Sequence, residues 1–172
     1  SLILPAFGAA IIAALAQIII PIGAVPITLQ TFAVGLVAAI LKPREATLAA
    51  TLYLILGAIG LPVFAGGGGG LQAFFGPSAG YLLAYPFFAL VTSALTHAKT
   101  PIWKSFLAFV LGDALVFGGG ILSLHFLGKM GWSAAVAVGL TPFIIPDLLK
   151  GLIVALVTKP VLKALKNHSY FN

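Results

Sequence analysis

Cysteine is absent from the 172 residues, which excludes disulfide staples and thiolate metal sites and leaves the redox compartment unread. Acidic residues are nearly absent as well: three Asp and Glu stand against nine Lys and Arg, and charged residues make up only 7% of the chain. A soluble domain carries about 25% charged residues to cover its surface, so this composition excludes one. The three histidines, His97, His125 and His168, lack metal-ligand spacing; no metal or other cofactor is expected. What fills the chain instead is apolar, 61% of residues with a mean hydropathy of +1.18. The solvent that suits it is lipid, and the chain reads as an integral membrane protein.

A helix needs about 20 apolar residues to cross a hydrocarbon core. Breaks at Pro, Gly and charge divide the chain into six segments, approximately 2–20, 29–41, 45–60, 78–96, 101–127 and 142–165. The first begins at Leu2 with no basic stretch before it and is read as a spanning helix, not a cleaved signal. The connections alternate: 20–28, 61–77 and 128–141 are Gly/Pro-rich and nearly uncharged. The other set holds Lys42 and Arg44, then Lys99 and Lys104, then Lys159, Lys163 and Lys166, with Lys129 alone on the opposite side. The positive-inside rule then predicts an all-α membrane protein of six transmembrane helices with both termini cytoplasmic. Residues 1–172 form a single multi-pass transmembrane domain in the cell membrane. The basic excess is topological, so nucleic-acid binding is not expected.

Backbone outside helix or sheet is tolerated at membrane depth only where protein buries it or it lines a polar cavity. The uncharged outer connections therefore suggest a capped, outward-facing pocket. The run 66–70, five consecutive glycines, is read as a loop folding over a small ligand, with Gly66, Gly67 and Gly70 offering bare backbone N–H groups. The alternative is a flexible linker in water, against which stand the flanking Val63, Phe64, Leu71, Phe74 and Phe75. The run is no nucleotide loop, because Leu71, Gln72 and Ala73 follow where Lys and Ser or Thr are needed. GPSAG at 76–80 matches a serine-nucleophile pattern, yet Pro77 and Ser78 read more simply as a helix start.

Ionisable residues inside a membrane are candidates for function. Asp147 and Lys150 are spaced i,i+3 and share a helix face, with Thr141 as the expected N-cap of their helix. Asp113 lies at a similar expected depth, roughly 18 Å along its own segment. The three can meet as a pocket floor, or form a purely structural charge pair. Polar partners for such a site are Thr28, Gln30, Thr31, Gln72, Tyr81 and Tyr85, with Phe64, Phe74 and Phe75 as apolar walls.

Four ordered motifs carry a resemblance: VPITLQTF (25–32), LKPREATLAATLYLILGAIGLPVFAGGGGG (41–70), GPSAGYLLAYP (76–86) and PFIIPDLLKGLIVAL (142–156). Together they resemble the BioY family, the biotin-binding S components of energy-coupling factor vitamin importers, over nearly the whole chain. The resemblance implies a six-helix, non-enzymatic subunit that captures biotin from outside and delivers it with a transmembrane coupling subunit and two ABC-type ATPases. It also implies docking of that partner on a small-residue stripe of the first helix, here Ala6, Ala10 and Ala14, or Ala9 and Ala13. The sequence departs from the family at Pro146, usually Gly, and Gly151, often Ala. Competing expectations are a solitary proton-driven transporter using Asp113 and Asp147, and an intramembrane hydrolase using Ser78.

Overall fold

All six apolar segments are helical in the computed structural model, which describes residues 2–20, 27–97 and 99–171. They are α1 (Ile3–Leu15), α2 (Gln30–Ile40), α3 (Pro43–Ala58), α4 (Ala79–Ala94), α5 (Ile102–Phe126) and, after a further short helix α6 (Trp132–Gly139), α7 (Ile144–Leu165). Local chemistry sets several boundaries. Pro43 opens α3 where no helical acceptor awaits an N–H, and Glu45 lies in that first turn, where the helix dipole favours an anion. Pro146 is the third residue of α7, so it too removes no intrahelical hydrogen bond.

Three expectations are corrected. The first helix stops at Leu15 rather than running to residue 20. The β-branched Ile18, Ile19 and Ile20 leave the helix, and β1 (Ile19–Ile20) pairs antiparallel with β2 (Ile27–Thr28), Ile19 opposite Thr28. Residues 21–26, the centre of the first outer connection and the start of the VPITLQTF motif, lie outside the described residues. The connection 128–141, expected as loop, contains α6. Thr141 is not the cap of α7: its hydroxyl donates to the Val136 carbonyl at 3.3 Å, and Phe143 holds the N-cap position after a 3₁₀ turn, Thr141–Phe143.

Helix α4 lies along α5 and against α3, α1 against α3, and α2 and α5 both against α7. Close approach depends on glycine where α4 meets α5: a Cβ on Gly80 would run into the Gly119 carbonyl. Tyr53, Phe88 and Phe109 are fully buried between these helices. Gly151 faces the Phe109 ring, and a Cβ there would come within 2.8 Å of it, so this chain's Phe109 occupies the room an alanine would need. Large apolar side chains also cover the outside. Ile3 is 77% exposed and Ile145 78%, a surface that suits acyl chains and not water. The stretches Ile102–Phe126 and Trp132–Leu165 are long and apolar enough to cross a bilayer, and α1, α2 and α4 are apolar but shorter.

Candidate functional site

One cavity of about 370 Å³ opens among α2, α4, α5, α6 and α7. Its polar wall comes from Thr28 of β2, Gln30 and Thr31 at the start of α2, Ser78 at the N-cap of α4 with Tyr81 and Tyr85 on it, and Asp147 and Lys150 on α7. The remaining wall is apolar: Leu82 of α4, Val116, Phe117 and Leu124 of α5, Val138 of α6, and Phe143. Ser78, Tyr81, Leu82 and Tyr85 recur at three- and four-residue intervals, the spacing of one helix face.

The polar groups hold one another in place. Lys150 Nζ donates to Thr31 Oγ1 at 3.0 Å and pairs with Asp147 Oδ1 at 2.9 Å, with both charged side chains at least nine-tenths buried. Gln30 Nε2 donates to the Tyr53 hydroxyl at 2.7 Å, while the Tyr85 hydroxyl donates to Gln30 Oε1 at 2.8 Å. Tyr81 closes the far side by donating to the Gly139 carbonyl at the end of α6, 2.6 Å away. Capacity is left over. Asp147 Oδ2 is buried without a hydrogen-bond partner among the described residues. Lys150 has three N–H donors and Gln30 two, so each keeps one beyond the bonds just described. A small cluster of donors and an acceptor thus faces an otherwise apolar space, the make-up of a pocket for a small, mostly apolar ligand with a polar end.

Gln30, Tyr81, Tyr85, Asp147 and Lys150 are therefore brought together, with Thr28 and Thr31. Of the other residues singled out from the sequence, Ser78 also lines this cavity, whereas Asp113, Phe64, Gly66, Gly67, Gly70, Gln72 and Phe75 do not. Asp113 lines a second cavity, on the α5 and α7 side, which it shares with Asp147, and its carboxyl meets that of Asp147 there, as the sequence expectation of neighbouring charges has it. Phe64 is driven inward, its ring against Gly57 of α3 and edge-on to Tyr53 and Phe74. Gly66, Gly67 and Gly70 do adopt positive φ, at 68°, 83° and 106°. They do not face the cavity: Gly66 and Gly67 are exposed, Gly66 beside Ile19, and the half-buried Gly70 donates its N–H to the Gly57 carbonyl at 2.6 Å. Only Ala65 of this stretch reaches the cavity wall. Gln72 turns back on its own stretch, donating to the Gly69 carbonyl at 2.8 Å, and Phe75 is 75% exposed. The cavity is covered by α6 and Phe143 more than by glycine.

The alanine stripe on α1 is divided in the same way. Ala9 is buried and Ala13 half-buried, on the side where Gly8 faces Ala49 of α3, whereas Ala6, Ala10 and Ala14 are exposed. Ser78 is the N-cap residue of α4 and lines the cavity. None of the three histidines lines the cavity, and His125 is held instead by the Met130 carbonyl, 2.7 Å from its Nδ1, and by stacking on Trp132. The apolar lining was not singled out in advance, because Val116, Phe117, Val138 and Phe143 look like any other membrane-helix residues in a sequence this apolar. Gln17 was missed as well. Its amide donates to the Phe64 carbonyl at 3.0 Å and ties the end of α1 to the glycine-rich stretch.

Residues 1–167 match the model of the BioY family. The chain belongs to the BioY family. Among relatives, it is 43% identical over 173 residues to the biotin transporter BioY2 of Lactococcus lactis subsp. cremoris, covering 99% of this chain and 95% of the relative. It is 39% identical to the biotin transporter BioY of Thermotoga maritima, covering 83% of each. The fold matches the crystal structure of the S-component for biotin from an ECF-type ABC transporter with a TM-score of 0.83 and 28% identity, over 98% of this chain and 93% of that one. Membership in this BioY family of transporters agrees with the apolar exterior and makes the chain a membrane protein.

Proposed function

We propose that this chain is the biotin-binding membrane subunit, the S component, of an ECF-type importer, and that the cavity floored by Asp147 and Lys150 is its biotin site. The observation that carries the reading is the unspent hydrogen-bonding capacity at a buried ion pair in a family of biotin transporters. Biotin carries a ureido group with two N–H donors flanking a carbonyl acceptor, fused to an apolar ring and chain. The free oxygen of Asp147 suits the N–H groups, and the spare N–H groups of Lys150 and Gln30 suit a carbonyl or carboxylate. Leu82, Val116, Phe117 and Phe143 suit the hydrocarbon part.

In this reading the protein performs no covalent chemistry. It spans the cell membrane six times with both termini cytoplasmic, takes biotin from outside, and releases it inward when engaged by a transmembrane coupling subunit and two ABC-type ATPases. The exposed face Ala6, Ala10 and Ala14 of α1 offers that partner a surface on which helices can approach closely. The test is equilibrium binding of radiolabelled biotin to the purified protein. Lys150→Ala leaves a polar ligand group unpaired in a buried site and is expected to weaken binding by about tenfold or more; unchanged affinity would overturn the site. Uptake in vesicles lacking any ATPase, collapsing with the proton gradient, would favour a solitary transporter instead.

A further inference from the structure

A separate cavity of about 400 Å³ lies at the end of the bundle where α2 passes into α3 and α4 approaches α5. Lys42, His97 and Lys99 line it, and none of its described lining residues is acidic. Glu45, paired with Arg44 at 2.9 Å, also hydrogen-bonds the lining residue Tyr170 and interacts electrostatically with Lys42. Between the basic groups lies Thr96, which is only 8% exposed and whose hydroxyl has no hydrogen-bond partner among the described residues. A buried hydroxyl without a partner costs stability unless something else supplies one. The opposite wall is apolar, from Ile40, Leu162 and Phe171.

Basic groups and an unspent hydroxyl beside an apolar wall match an amphiphile with an anionic, oxygen-rich head. The level along the bundle agrees. Lys42 Nζ lies 4.9 Å from the centre of the Tyr170 ring and Lys104 Nζ 5.4 Å from that of Trp103, the paired aromatic and basic residues that sit at the headgroup layer. Inter-helix basic pockets at that layer recognise acidic lipid heads.

We propose that this cavity binds the phosphate of an anionic phospholipid, with Lys42, Lys99 and the Thr96 hydroxyl taking phosphate oxygens and the apolar wall taking the start of an acyl chain. The site is distinct from the Asp147 and Lys150 cavity, with which it shares no lining residue. It stands or falls independently of what that cavity binds.

The test is native mass spectrometry of the purified, detergent-solubilised protein titrated with phosphatidylglycerol or phosphatidylcholine, with inorganic phosphate as competitor. The expected result is a preference for phosphatidylglycerol of about tenfold or more. It is largely lost in Lys42→Gln/Lys99→Gln and weakened in the near-isosteric Thr96→Val, but kept in the surface control Lys163→Gln/Lys166→Gln. Gel filtration and circular dichroism establish that each variant is folded, and Thr96→Val alone carries the test should the double variant not fold. Equal binding of the two lipids overturns the proposal, as does a preference that only the control variant removes. Displacement of the lipid by an equal concentration of inorganic phosphate overturns the lipid as source, leaving a soluble phosphate as ligand.

Discussion

The Asp147 and Lys150 cavity and the stretch 61–77 look like floor and roof of one site when read from the sequence, and the folded chain uses them in opposite ways. In the cavity, side chains from α2, α4 and α7 meet around space, with hydrogen-bonding groups left over. In the glycine run, Gly66, Gly67 and Gly68 are exposed, and only at the half-buried Gly69 and Gly70 do absent side chains let backbone meet backbone. A Cβ on Gly69 would collide with the Leu61 carbonyl, and Gly70 hydrogen-bonds Gly57 directly. The contrast teaches that bare backbone in a membrane protein has two uses, approach by a ligand and approach by another part of the chain. Positive φ does not distinguish them.

Substitutions can break or sharpen this contrast. The largest effect is expected at the floor. Beyond its loss of ligand affinity, Lys150→Ala strands the buried Asp147 carboxylate, at a cost of about 3–5 kcal/mol, visible as a lower Tm without ligand. Next comes the glycine stretch: Gly69→Ala forces the Leu61 carbonyl aside and is expected to cost about 1–3 kcal/mol in thermal unfolding, while ligand affinity of the folded fraction changes little. A loss of affinity with no loss of stability there would restore the glycine run to the site. Tyr85→Phe removes one donor to Gln30 Oε1, worth about 1 kcal/mol, so ligand affinity should fall about fivefold by equilibrium binding. Smallest are Gln72→Ala and Phe75→Ala, expected to leave affinity within about twofold because neither side chain reaches the cavity.

Legibility followed chemical rarity. In a chain with three acidic residues, Asp147 and Lys150 at i,i+3 stand out, and Gln30, Tyr81 and Tyr85 stand out for the same reason. The cavity's apolar wall did not, because its residues share their type with every lipid-facing position. Asp113 was legible as unusual but not as belonging to the neighbouring cavity, since depth along a helix says nothing about rotation around it. The α1 stripe illustrates the same limit: Ala9 and Ala10 are adjacent, yet one faces α3 and the other is exposed.

The sequence by itself determined the solvent, the six helical segments, the family, and which rare polar residues had to find one another, because transfer of charge into lipid is costly enough to leave its mark on composition and pattern. Tertiary structure alone decided which helix faces meet, that Phe64 packs inward while Gly66, Gly67 and Gly68 stay exposed, that α6 and Phe143 enclose the cavity, and that α1 gives way to a paired strand at Ile19. Those outcomes rest on contacts between segments distant in the chain, such as Gln17 with Phe64 and Tyr81 with Gly139, and close packing settles them through shapes that no local pattern encodes.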